Sequence, residues 1–80
     1  MCLSLAGRID RIEGDGAVVD VDGRPRRISL AVLLLEGTPV APGDWVLVHT
    51  GLAVSLLDPA EAAEITRLRR EMAGEGEESP

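Results

Sequence analysis

The sequence has little aromatic character, almost no sulfur and no lysine. Trp45 is the only aromatic side chain in 80 residues. Every cation is an arginine, and 14 acids outnumber the eight arginines, for a formal net charge of −6. Single-stranded nucleic acid is gripped by aromatic platforms in basic grooves, and phosphate neutralisation dominates nucleic-acid affinity generally. Neither resource is present, so no nucleic-acid partner is expected. One cysteine, Cys2, excludes an internal disulfide and gives no sign of an oxidising compartment. No run approaches the roughly 20 apolar residues needed to span a bilayer. The N-terminus also lacks a basic stretch followed by an apolar run of signal-peptide length. The expectation is a cytoplasmic protein with no membrane contact. A chain this short buries roughly 60% of its unfolded surface. A deep substrate cleft would consume core that it does not have, which favours a binding role over a self-contained enzyme.

What is present reads as a small β protein. From Cys2 to Ile12, Leu3, Leu5 and Ile9 alternate as in a strand, and Ile12 breaks the parity. That break predicts a bulge, or the end of the strand, near Asp10 or Arg11. Glu13 to Gly16 is turn chemistry, Ala17 to Val21 a short second strand, and Asp22-Gly23 a hairpin signal. Pro25 donates no hydrogen bond and belongs at the start or edge of a third strand, Arg26 to Leu30. Ala31 to Leu35 fits either a strand continuation or a helical turn. Gly37 to Gly43 reads as a loop. Trp45 to His49 and Leu52 to Leu57 are the fourth and fifth strands, with Trp45 expected in the core. Short strands at this spacing favour a barrel over a sandwich.

Asp58 is a good helix N-cap, Pro59 fits the first helical position, and Glu61 completes a capping box. Ile65, Leu68 and Met72 form an apolar stripe at helical spacing, suited to covering an open barrel end. Arg67, Arg69 and Arg70 fall near the expected C-terminus, where the helix dipole favours positive charge. Gly74 ends the helix on this reading. The domain is then residues 1–73, followed by an acidic, disordered tail over 74–80.

Two residues stand out by type, Cys2 and His49. Initiator methionine is usually trimmed before a small second residue, so Cys2 is expected to carry the free amine. By position alone, Cys2 reads as a small hydrophobe at a frayed terminus and His49 as a solvated strand-edge residue. A thiolate is nonetheless a soft metal ligand, and imidazole is the commonest protein ligand. Together they would leave coordination positions open on iron, which suits a fragment that must later be released. The arginines at 24, 26 and 27 read as a solvated strand face. No serine–histidine–acid set is supported by spacing.

The stretch Met1-Cys2-Leu3-Ser4-Leu5-Ala6-Gly7-Arg8-Ile9 resembles the N-terminal signature of the HypC/HupF family. The stretch from Gly43 through Trp45 and His49 to Val54 is similar to that family's second signature. The segments Ala17 to Asp20 and Arg26 to Leu30 also fit its pattern. The resemblance covers residues 1 to 72. It implies a mainly β fold, a five-stranded OB-like barrel with a C-terminal helix. It also implies a non-catalytic chaperone in [NiFe]-hydrogenase maturation. With HypD, such a chaperone would hold the iron fragment Fe(CN)2(CO) transiently and deliver it to the hydrogenase large-subunit precursor. None of that cargo is expected in the isolated protein. Cys2 and His49 match the family's proposed iron ligands, and Cys2, Leu3 and Leu5 would contact the partner. Where the family usually carries proline, this chain has Ala6, which restores an amide donor and loosens the approach to Cys2. The alternative is an OB-type protein-interaction module with no metal role.

Overall fold

A computed structural model describes residues 4–77, with side chains to residue 72. Five strands close into a barrel in the order β1-β2-β3-β5-β4. They are β1 (Ser4–Glu13), β2 (Gly16–Val21), β3 (Arg24–Ser29), β4 (Trp45–His49) and β5 (Leu52–Leu57). A short helix α1 (Ala31–Leu35) joins β3 to the loop before β4, and α2 (Pro59–Glu77) follows β5. The mainly β, OB-like architecture expected from the sequence is therefore what the chain adopts.

The local chemistry explains each connection. Asp22 and Gly23 both have positive φ (56° and 81°). Two such residues make the turn whose twist matches a right-handed hairpin. Val21 therefore pairs directly with Arg24, and β3 begins two residues earlier than Arg26. It ends at Ser29, one residue short of the expected Leu30, where the chain turns into α1. The parity break at Ile12 has its cause in a bulge between Ile9 and Arg11. β1 then runs on past it, with Ile12 opposite Ala17.

The ambiguous segment Ala31–Leu35 is a helix. Ser29 Oγ accepts the Ala31 N–H (3.1 Å) at its start. At its end Gly37 takes φ 74°, Thr38 N–H donates to Leu33 O (2.9 Å) and Gly37 N–H to Leu34 O (3.1 Å). This is a Schellman closure on the glycine that permits it. The helix fixes Leu33, 1% exposed, into the barrel core. Burying a leucine contributes about 1.5–3 kcal/mol before the cost of ordering it. Leu33 joins Ile9, Val19, Val46 and Val48 in that core.

Here three expectations are corrected. Trp45 is not in the core. Val46 and Val48 face inward at 0% and 3% exposure, so Trp45, Leu47 and His49 share the outer face. Trp45 is half-buried there and lines a groove of about 540 Å³ with Pro59, Ala63 and Thr66 of α2. The barrel is plugged by α1 rather than α2. The long helix lies across the outside of β1, β4 and β5. Among its described side chains the fully buried one is Ala62 (0%), whereas Leu68 and Met72 of the apolar stripe are 48% and 58% exposed. The third correction is the helix end. The backbone stays helical past Gly74 to Glu77, since one glycine costs a helix only about 1 kcal/mol. Arg67, Arg69 and Arg70 are consequently not in the last turn, which has no basic residue. The rest of the expected tail, residues 78–80, lies outside the described residues.

Only the Glu61 half of the expected capping box forms at the helix start; the Asp58 carboxylate accepts no hydrogen bond there among the described residues. The Glu61 carboxylate accepts the Asp58 N–H (3.0 Å), and the Asp58 carbonyl accepts the Ala62 N–H (2.9 Å). Further along, Arg69 and Arg70 both pair with Asp22 in the β2–β3 turn, Arg70 at 3.0 Å. The helix is thus tied to the barrel side at its start and, past its middle, by two guanidiniums on one carboxylate.

Candidate functional site

β1 and β4 run antiparallel, with Ser4 opposite His49, Leu5 opposite Val48 and Ala6 opposite Leu47. Paired residues share a face of the sheet. Ser4 and His49 are therefore neighbours on the outer face at the tip of the β4–β5 hairpin. His49 is exposed and is the last residue of β4. Cys2 and Leu3, the other two residues singled out from the first signature, lie outside the described residues. Leu5 is half-buried, points inward and packs against the barrel core. It shares a strand with Ser4 but not the face that carries His49.

The hairpin that presents His49 is unusual in its chemistry. Thr50 and Gly51 have φ of 52° and 83°. A left-handed β-branched residue is sterically disfavoured, at a cost of about 1–2 kcal/mol. The Thr50 hydroxyl donates to the His49 carbonyl (2.6 Å), and the Gly51 carbonyl accepts the Ser29 N–H (2.9 Å). Thr50 is thereby held from both sides, and the backbone of His49 with it. The strand assignments from sequence leave Thr50 and Gly51 only as the gap between β4 and β5. The available signal was the x-Gly dipeptide between two strands, the same one that identified the Asp22-Gly23 turn.

No group of three or more His, Cys, Asp and Glu side chains that could hold a metal occurs among the described residues. Within them, His49 offers a single exposed imidazole. The outer face of β1–β3 carries a separate charged network. Glu13 accepts from Arg11 Nε (2.7 Å) and from Arg27 (2.8 Å). The Arg11 hydrogen bond, with the charges of both arginines, holds the Glu13 carboxyl below its ordinary value, and the same bond raises Arg11. Val18, only 7% exposed, sits between Arg11 and Arg27 on the paired strands beneath this bridge. No described helix is long and apolar enough to cross a membrane.

Fold and site together define a small OB-like module that presents one histidine at a hairpin tip, beside the start of its first strand. The model of the HupF/HypC family matches residues 1–69, and the chain belongs to that family. It is similar to the hydrogenase maturation factor HypC of Rhodobacter capsulatus, with 37% identity over 82 residues covering 99% of this chain and 84% of the relative. The HypC of Escherichia coli K12 is 39% identical over 66 residues, 80% of this chain and 73% of the relative. The hydrogenase maturation factor HybG of the same organism is 37% identical over 76 residues, 90% and 92% of the two chains.

Proposed function

We infer that this chain is a cytoplasmic, non-catalytic chaperone of [NiFe]-hydrogenase maturation. It holds the Fe(CN)2(CO) fragment together with HypD and delivers it to the hydrogenase large-subunit precursor. Cys2 and His49 supply ligands to the iron, which is cargo rather than a resident cofactor.

The observation that carries this reading is the Ser4–His49 pair. Two residues of chain reach at most about 7 Å, so Cys2 Cα stays within that distance of Ser4 Cα. A strand that starts two residues after the thiol is thus locked beside the only imidazole. The family match, which includes both residues, and the names of the relatives support hydrogenase maturation as the setting. Thiolate and imidazole suit iron, and two protein ligands leave room for diatomic ligands and for a partner. An exposed site at a hairpin tip also suits hand-over.

The test is co-expression of the chain with HypD, followed by infrared spectroscopy of the purified complex. Cyanide and carbonyl bands should appear with the unaltered chain and vanish in Cys2→Ala and in His49→Ala, while HypD binding is read separately. Bands of full intensity in both variants would reject the ligand assignment and favour a metal-independent interaction module.

A further inference from the structure

The barrel closes between β3 and β5 through a single parallel bridge, Ser29 to Leu52. The rest of β3 has no strand opposite it on that side. Ser29 sends its N–H away from β2, to Gly51 O (2.9 Å). Backbone groups along an antiparallel strand alternate sides. The N–H and C=O of Arg27, two residues earlier, therefore face the same open gap. Pro25 lies at the next such position and has no N–H to offer.

The gap is a slot of about 430 Å³. Leu5, Ile28 and Val48 form its apolar floor, and Thr50 stands at its rim. Arg26 is opposite the buried Val19 and on the same strand face as Ile28, so it follows the inner face out to the mouth of the slot. Arg27 is engaged by Glu13, but Arg24 and Arg26 make no ion pair among the described residues. Arg26, a cation without an ion pair among the described residues, thus stands beside an apolar floor in a chain of net charge −6.

We propose that this slot docks an extended acidic segment of a partner protein, with an aliphatic side chain on Leu5, Ile28 and Val48, a carboxylate on Arg26, and strand-type hydrogen bonds to the Arg27 backbone. Charge complementarity selects the acidic class. The free edge selects an extended backbone. A second copy of this chain pairing edge to edge would bring its own Arg26 against this one, and like charge disfavours it, whereas a carboxylate is attracted. The floor lies on the inner face of β4 and the His49 side chain on the outer one, with Thr50 common to both.

The test is a titration of the 15N-labelled full chain with a short end-capped peptide of alternating valine and glutamate, followed by amide shifts. Shifts should fall on Leu5, on Arg26 to Ser29 and on Thr50 and Gly51, and should weaken with added salt. Arg26→Glu should weaken binding about tenfold while keeping the amide spectrum of a folded chain, and Arg24→Glu, whose side chain does not line the slot, should bind within about twofold of the unaltered chain. The proposal is overturned if those amides do not move or if the lysine counterpart of the peptide moves them equally. It is also overturned if Arg26→Glu binds as tightly, or if the same shifts appear on concentrating the chain alone.

Discussion

Ser4 and His49 are direct cross-strand partners, and their pairing fixes where the first strand begins relative to the imidazole. His49 contributes nothing to the core, since its side chain is exposed at the end of β4. His49→Ala should therefore change unfolding free energy by no more than about 0.5 kcal/mol. Inserting two glycines between Leu3 and Ser4 should be equally silent in urea denaturation. The insertion lengthens the tether to Cys2 by up to about 7 Å, and should lower the yield of mature hydrogenase in a cell that depends on this chain. Full maturation with the longer tether would show that the distance from Cys2 to the hairpin does not matter.

Thr50 holds a left-handed conformation that asparagine adopts far more readily. Thr50→Asn should raise stability by about 1 kcal/mol in urea denaturation, reading as a higher midpoint with an unchanged slope. The hydroxyl contact to the His49 carbonyl is lost in the exchange. A more stable protein with weaker iron retention would assign the strain to positioning His49. A destabilised variant would show that the contact outweighs the strain.

Gly7 leaves no room for a side chain between β1 and β2. A Cβ there would stand 2.9 Å from Val19 Cγ2 and 3.3 Å from Val21 Cγ2. Both valines are buried, so neither can swing away. Gly7→Ala should destabilise by about 1–3 kcal/mol through overpacking. Adding Val19→Ala opens the space, so the double variant should be less destabilised than the two single effects combined. Simple additivity in thermal unfolding would locate the cost elsewhere.

How far the sequence foretold this molecule depends on the range of the interactions. The bulge near Arg11, the Asp22-Gly23 hairpin and the Glu61 link to the Asp58 amide follow from neighbours in the chain, and each was legible. Ala31–Leu35 was not, because five apolar residues suit strand and helix alike. Its helix depends on Leu33 reaching a core assembled from distant strands. Trp45 misled for a related reason. Alternation gives two faces but not which one another element will cover, and α2 half-buries the outer one. His49 was legible as a residue type, whereas its pairing with Ser4 was not, since it requires the register of β1 on β4. The slot beside Arg26 was invisible, because it exists only where β3 and β5 fail to pair.

The Glu13 bridge gives the acid limb of stability a definite sign. Hydrogen bonding from Arg11, with the added charge of Arg27, lowers the folded-state carboxyl below its ordinary value of 4.5. A group depressed in the folded state stabilises above its unfolded value and loses that contribution as pH falls through the folded value. The bridge should therefore be present at neutral pH and fade below about pH 4.5. Glu13→Gln should be less stable than the unaltered chain at neutral pH, and the two should converge on acidification. A difference that persists at low pH in circular-dichroism unfolding would point to packing over Val18 instead of charge.

Asp22 joins the β2–β3 turn to α2 through Arg69 and Arg70. The carboxylate is 25% exposed and the two arginine side chains 30% and 66%, so the link is partly screened and worth on the order of 1 kcal/mol. Asp22 also occupies a left-handed position, which asparagine tolerates as well. Asp22→Asn thus removes the charge and keeps the turn. Amide exchange at Arg69 to Met72 should quicken, while Ala62, buried beside the cap, keeps its protection. Arg67 supplies the control, because its partners Glu64 and Glu71 lie on α2 itself. Arg67→Gln weakens an intrahelical pair without releasing the helix from the barrel, and should leave global unfolding nearly unchanged. If both variants quicken exchange alike, the distal half of α2 is held by its own helical propensity and not by Asp22.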